Sequence, residues 1–249
     1  MKIGDCLSLC KILIVKKLLI VGLLLALFTN CAPSEEELLK AGMAKMDAQS
    51  WKEAIEYFDR LLEKNPINNQ ALNAKGVALF QLKEYDKAIP VFTEAIASDS
   101  VSYKPWFNRG NSNLELGNFK QAVADFNMAN GLDPAQTDVY YNRGLALLSM
   151  EQYEDALFDF DAALKVNPNQ ALVYFNRGKA QLGNNDPASA LESLTNAVNL
   201  DSKNAAAYYL LGVTRMSALG QKEEGCADLK VALSMGFTEA KTWVDDFCK

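Results

Sequence analysis

A glycine returns every thirty-four residues along this chain, as Gly42, Gly76, Gly110, Gly144, Gly178 and Gly212. An alanine keeps the same step at Ala54, Ala88, Ala122, Ala156 and Ala190. Beyond each alanine comes an apolar residue: Phe58, Phe92, Phe126, Phe160 and then Leu194. Pro66, Pro134 and Pro168 close three of the units, with Ser100 and Ser202 in the same slot. Self-similarity at this period means one supersecondary unit that cannot bury its apolar face alone and must stack on copies of itself. No feature of composition constrains the fold as tightly.

The stretch 138–168 shows the unit most plainly. Tyr140, Tyr141, Gly144, Leu145, Leu147 and Leu148 belong to a first helix. Tyr153, Ala156, Leu157, Phe160, Ala163 and Leu164 fall on one face of a second, at the spacing of a 3.6-residue turn. Gly144 and Ala156 are the small residues expected to let the two axes approach. Pro168 cannot continue a helix, and it pushes Asn167 out of the helical region.

A thirty-four-residue period with this small, aromatic and proline pattern resembles the tetratricopeptide repeat. The resemblance covers 35–237, about six units. It implies an all-α fold, a right-handed α-solenoid of about six helix pairs. The expected organisation is a leader over 1–30, an acidic tether over 31–36, the solenoid over 37–237 and a capping helix within 238–249. Ala240, Trp243, Val244 and Phe247 would share one side of that last helix. The first unit departs from the pattern with Lys45, as a terminal repeat facing water does. In the sixth, one extra residue is needed to bring Gly225, Leu229 and Ala232 into the repeat positions, and Gly236 is placed to end the helix. Pro187 stands near a helix start, where proline is tolerated.

The chain contains no histidine. That removes the commonest general base and transition-metal ligand. No run matches a calcium loop or a phosphate-cradling glycine loop, and no cofactor or metal is expected. Lys and Arg number 25 against 31 Asp and Glu. Loss of the leader would remove Lys2, Lys11, Lys16, Lys17 and Asp5, leaving 21 basic and 30 acidic residues, a net charge of −9. Such a body is a poor match for nucleic acid, whose binding needs clustered Lys and Arg.

Lys16 and Lys17 precede an apolar run from Leu18 to Phe28. It is too short to span a bilayer, which takes about twenty residues, and has the size of a signal-peptide core. The run leads into Leu27-Phe28-Thr29-Asn30-Cys31, which resembles a lipobox with Cys31 as the lipidated residue. Asn30 departs from the small residue preferred before that cysteine. The acidic residues Glu35, Glu36 and Glu37 that follow resemble signals routing bacterial lipoproteins to the cell surface. The other readings are an uncleaved anchor or a cut elsewhere. Cys6 and Cys10 would leave with the leader. Cys226 and Cys248 remain, either as a disulfide in an oxidising compartment or as two separate thiols.

Asp159 with Asp161, and Glu223 with Glu224, are read as solvated faces of helices. More patterned are three identical triplets, Asn108-Arg109-Gly110, Asn142-Arg143-Gly144 and Asn176-Arg177-Gly178. Aromatic residues fill the slot just before each triplet and its counterpart in the next unit: Phe107, Tyr141, Phe175 and Tyr209. The repeat resemblance puts the first helix of each unit on a concave face. The asparagines and aromatics there are either adjacent ladders in a binding groove or repeat consensus, and the arginines are expected to bridge helices. Asparagine offers donor and acceptor to an extended backbone, and aromatics supply area with little entropy loss. A chaperone-type carboxylate clamp is not expected: its lysine slot holds Leu39, Asn73, Phe107, Tyr141, Phe175 and Tyr209. The sequence thus points to a non-catalytic, lipid-anchored protein of the bacterial envelope, on the outer membrane and facing either the periplasm or the outside. It would bind a protein or extended peptide segment and resembles outer-membrane lipoproteins that help envelope machines assemble. The alternative is a lipoprotein taking a small peptide or glycan fragment in the same groove.

Overall fold

The computed structural model describes residues 33–249, so the leader and Cys31 lie outside the described residues. Among the described residues there are thirteen α-helices and no strand, and no helix is long and apolar enough to cross a membrane. The all-α solenoid expected from the period is the fold. It divides into a unit ending at Pro66 and a unit from Ile67 to Lys249.

The first unit is one helix pair, α1 (Glu35–Asp47) and α2 (Trp51–Lys64). The Ser34 hydroxyl accepts from the Glu37 amide at 3.2 Å, and the Ser34 amide donates to the Glu37 carboxylate at 2.8 Å. This capping box satisfies two backbone donors that the first turn leaves open. The helix therefore begins at Glu35, earlier than expected. Glu35 and Glu36 are not tether but form, with Glu37, the first turn of α1, where acidic side chains meet the positive end of the helix dipole. Lys45 pairs with Glu53 at 2.6 Å.

The second unit holds five pairs: α3 (Asn69–Gln81) with α4 (Tyr85–Ser98), α5 (Tyr103–Glu115) with α6 (Phe119–Leu132), α7 (Thr137–Ser149) with α8 (Tyr153–Val166), α9 (Ala171–Gly183) with α10 (Pro187–Leu200), and α11 (Ala205–Ser217) with α12 (Lys222–Ser234); α13 (Ala240–Phe247) follows. The turns inside the pairs repeat as faithfully as the helices. Lys83, Gly117, Glu151 and Asn185 all have positive φ, between 58° and 76°. Each ends its helix with a Schellman-type cap, as at Glu151, whose amide donates to the Leu148 carbonyl while Gln152 donates to Leu147. The extra residue of the last pair sits in this turn: the left-handed position there is Gly220, and Gln221 donates to the Arg215 carbonyl.

Phe92, Phe126 and Phe160 are wholly buried, and each fills the space left by a glycine on the partner helix. A Cβ on Gly144 would lie 2.7 Å from Phe160 Cε1, and one on Gly110 equally close to Phe126 Cε1. The repeat glycine thus marks a close approach between the paired helices, and the group that approaches it is the aromatic ring. In the last pair two glycines face each other, a Cβ on either lying 2.8 Å from the other's carbonyl oxygen.

The arginines of the triplets tie helices together, as expected. Arg109 makes a two-pronged contact with Asp125 and donates to Thr93 Oγ1 of the preceding pair. Arg143 does the same with Asp159, at 2.6 and 2.8 Å, and donates to Asn127 of the preceding pair. Arg177 pairs with Asp161 of the preceding pair at 2.7 Å. Asp159 is therefore not on a solvated face, contrary to the sequence reading: it is 1% exposed, and the packing of α8 against α7 places it beside Arg143. Burial, with the Asp155 charge adding to it, holds its carboxyl above the usual range although the Arg143 contacts pull it down. Glu223 and Glu224 are exposed.

At the C-terminal end Gly236 (φ 90°) closes α12, and Phe237 donates to the Ala232 carbonyl. Trp243 and Val244 of α13 pack on the cluster of Leu229, Ala232 and Ala240. Cys226 and Cys248 form a disulfide with Cα atoms 5.5 Å apart, fastening the end of α13 to α12.

Candidate functional site

In the second unit the first helices α3, α5, α7 and α9 approach one another in succession, whereas the second helices make no comparable approach to each other. The stack therefore curves with its first helices inside, and their inward residues form a shared lining.

The asparagine row runs along that lining. The Asn108 amide donates to Asn73 Oδ1 at 3.0 Å, and Asn142 donates to Asn111 Oδ1 at 2.8 Å. Asn176, 8% exposed, donates to the Tyr141 hydroxyl at 3.2 Å and to the Leu172 carbonyl at 2.9 Å. Each asparagine thus gives N–H to neighbouring backbone or to the preceding first helix. Its own carbonyl oxygen receives no bond from the described residues. Asn176 spends both of its N–H groups in this way, whereas Asn108 and Asn142 each spend one and keep a second beside the oxygen, so the row offers acceptors and donors together.

The aromatics are half-buried and rest on the core rather than standing free. Phe107 lies 6.0 Å from Phe126 and Tyr141 6.2 Å from Phe160, ring centre to ring centre. Phe175 packs on the cluster around Leu194, with the Lys179 ammonium 5.7 Å from its ring centre. Tyr209 stacks on Phe237 at 4.8 Å and belongs to the C-terminal cluster, away from the other three. The rings thus spend much of their area on the core. Burial raises the Tyr141 hydroxyl above its ordinary value, so it stays protonated and can donate onward while accepting from Asn176.

An open cavity of about 590 Å³ lies on this lining, spanning three pairs. Leu114, Leu145 and Leu148 give it an apolar wall, Asn176 reaches it from α9, and Glu115, Glu151 and Lys179 bring charge. Except for Asn176, the sequence reading named none of these as groove residues, and Phe107, Asn108, Tyr141, Asn142, Phe175 and Tyr209, which it did name, do not line the cavity. A signal existed: Leu145 follows the repeat glycine directly, and Lys179 fills the same slot one unit later. Among the described residues, no group of three or more acidic or cysteine side chains is placed to hold a metal ion.

Family models of the tetratricopeptide repeat match residues 39–105, 85–137 and 175–233, and a second such model matches 137–170. The chain belongs to the tetratricopeptide repeat family. No curated protein sequence matches it. Solved structures with the same fold include pilF of Pseudomonas aeruginosa (20% identity, TM-score 0.67, covering 79% of this chain and 89% of that one). MamA from Desulfovibrio magneticus RS-1 is similar at 20% identity and TM-score 0.64, covering 68% of this chain and 96% of that one. YrrB, titled a tetratricopeptide protein with an unusual peptide-binding site, is similar at 22% identity and TM-score 0.63, covering 72% and 91%. At these identities the likeness is one of fold. Tetratricopeptide proteins bind peptides or proteins, and solenoids do so on extended concave surfaces.

Proposed function

We propose that this tetratricopeptide protein is a non-catalytic adaptor that holds an extended segment of a partner protein along the inner lining of its second unit. The observation that carries the reading is the asparagine row along the first helices, whose oxygens accept from none of the described residues and which meets the open cavity at Asn176. Peptide N–H groups recur along an extended strand and suit such a row. YrrB, a relative in fold, is described as having a peptide-binding site. The protein would be anchored through lipid on Cys31 in the bacterial envelope, outer membrane included, and would assist assembly of a complex there. The Cys226–Cys248 disulfide supports an oxidising compartment of that kind.

Cross-linking in the native envelope, followed by mass spectrometry, tests the adaptor reading. Tyr141→Ala with Asn142→Ala is expected to weaken partner capture by about 2 kcal/mol or more, the scale of an interface hot spot, with helix content retained. Normal capture by that variant refutes the groove. Cys31→Ser tests the anchor: lipid on this residue is the only attachment proposed, so a variant that still sediments with membranes after a salt wash refutes it. A thermal shift with peptide or glycan fragments, and no cross-linked protein, would favour the small-ligand alternative.

A further inference from the structure

The inner cavity carries charge that the chain itself does not neutralise. Glu115, at the end of α5, accepts a hydrogen bond from the Tyr85 hydroxyl at 3.3 Å. Glu151 lies in the left-handed turn after α7. Both line the cavity, and neither forms an ion pair within the described residues. One cation, Lys179, faces these two carboxylates, and it sits over the Phe175 ring. Leu145 and Leu148 lie in the same lining and offer apolar surface beside the acids. The carbonyl oxygens of Asn108, Asn142 and Asn176 add acceptors for the backbone of a bound segment.

We infer that the segment this groove takes is basic. This rests on the proposed peptide-holding role and adds its charge class. Backbone N–H groups of the segment bond to the asparagine oxygens. A Lys or Arg side chain lays its alkyl stem on Leu145 and Leu148, as long cationic side chains do on apolar surface, and its head meets Glu115 and Glu151. An acidic segment would bring like charge to the two carboxylates. The net charge of −9 over residues 31–249 attracts a basic partner at long range as well.

Two labelled peptides test the inference by fluorescence anisotropy, one alternating Leu with Arg and the other Leu with Glu. The Leu-Arg peptide is expected to bind, more weakly as salt rises, and the Leu-Glu peptide not to. Glu115→Gln with Glu151→Gln should weaken the Leu-Arg peptide about five- to tenfold, the scale of two exposed ion pairs. Glu223→Gln with Glu224→Gln changes net charge equally at exposed positions on α12 and should leave binding unchanged. Equal losses in the two double variants would mean unspecific attraction and overturn the inference, as would equal binding of the Leu-Glu peptide. If those arms fail while Tyr141→Ala with Asn142→Ala still abolishes partner capture, the groove stands and only its basic preference falls. If that variant also captures partner normally, the groove itself falls.

Discussion

The glycine–aromatic contact inside each pair can be tested as a coupling. In Gly144→Ala the new Cβ would stand 2.7, 3.0 and 3.1 Å from three carbons of the Phe160 ring. The first is about 0.8 Å short of ordinary carbon–carbon contact. The ring is 0% exposed and enclosed by Leu147, Ala156, Ala163 and Val173, so it cannot step aside without moving a neighbour. Overpacking of this kind costs about 1–3 kcal/mol. Against it, replacing glycine by alanine inside a helix gains about 1 kcal/mol. Alone, Gly144→Ala should therefore destabilise by about 0–2 kcal/mol. Phe160→Ala empties the same space and should cost about 3–5 kcal/mol. In that background the clash is gone and only the helix gain remains, so Gly144→Ala should now stabilise by about 1 kcal/mol. The coupling is then about 1–3 kcal/mol, within the range for residues in direct contact. Because long repeat arrays need not unfold in two states, urea unfolding should be paired with native-state hydrogen exchange read on α7 and α8. If Gly144→Ala shifts stability by the same amount and sign in both backgrounds, the glycine does not exist to admit the ring.

Asp159→Ala leaves the Arg143 guanidinium without its carboxylate in a buried setting and should cost about 3–5 kcal/mol, measured by urea unfolding; a loss below about 1 kcal/mol would place Asp159 in solvent after all. Lys83→Gly relieves a left-handed residue (φ 61°) at an exposed turn. It should raise stability by roughly 1 kcal/mol, and a drop in melting temperature would contradict the turn geometry. Reduction of the Cys226–Cys248 bond, which closes a loop over a separation of 22 residues, should cost about 3 kcal/mol in the chain-entropy model. Exchange of the Trp243 and Val244 amides should speed up while α7 and α8 stay protected, since repeats couple mainly to their neighbours.

The period determined the helix pairs, and the apolar spacing of Ala240, Trp243 and Val244 the last helix, because helix formation is local and residue spacing encodes it directly. It also carried the expectation that the triplet arginines bridge helices, since one arginine per unit at a fixed register can hardly avoid the adjoining helix. What it did not decide is which partners meet across the pairs. Asp159 reads as a polar residue on an amphipathic helix, and only the packing of α8 against α7 turns it onto Arg143. Gly144 reads as a small residue where two helices come close, but that the ring of Phe160 fills its space follows from side-chain direction, which spacing does not give. The asparagines repeat identically, but their amides find different acceptors: Asn73, Asn111, and then Tyr141 with Leu172. Those choices depend on the small rotation from one pair to the next. A repeat pattern describes each unit by itself, and that rotation is set only when neighbouring units pack.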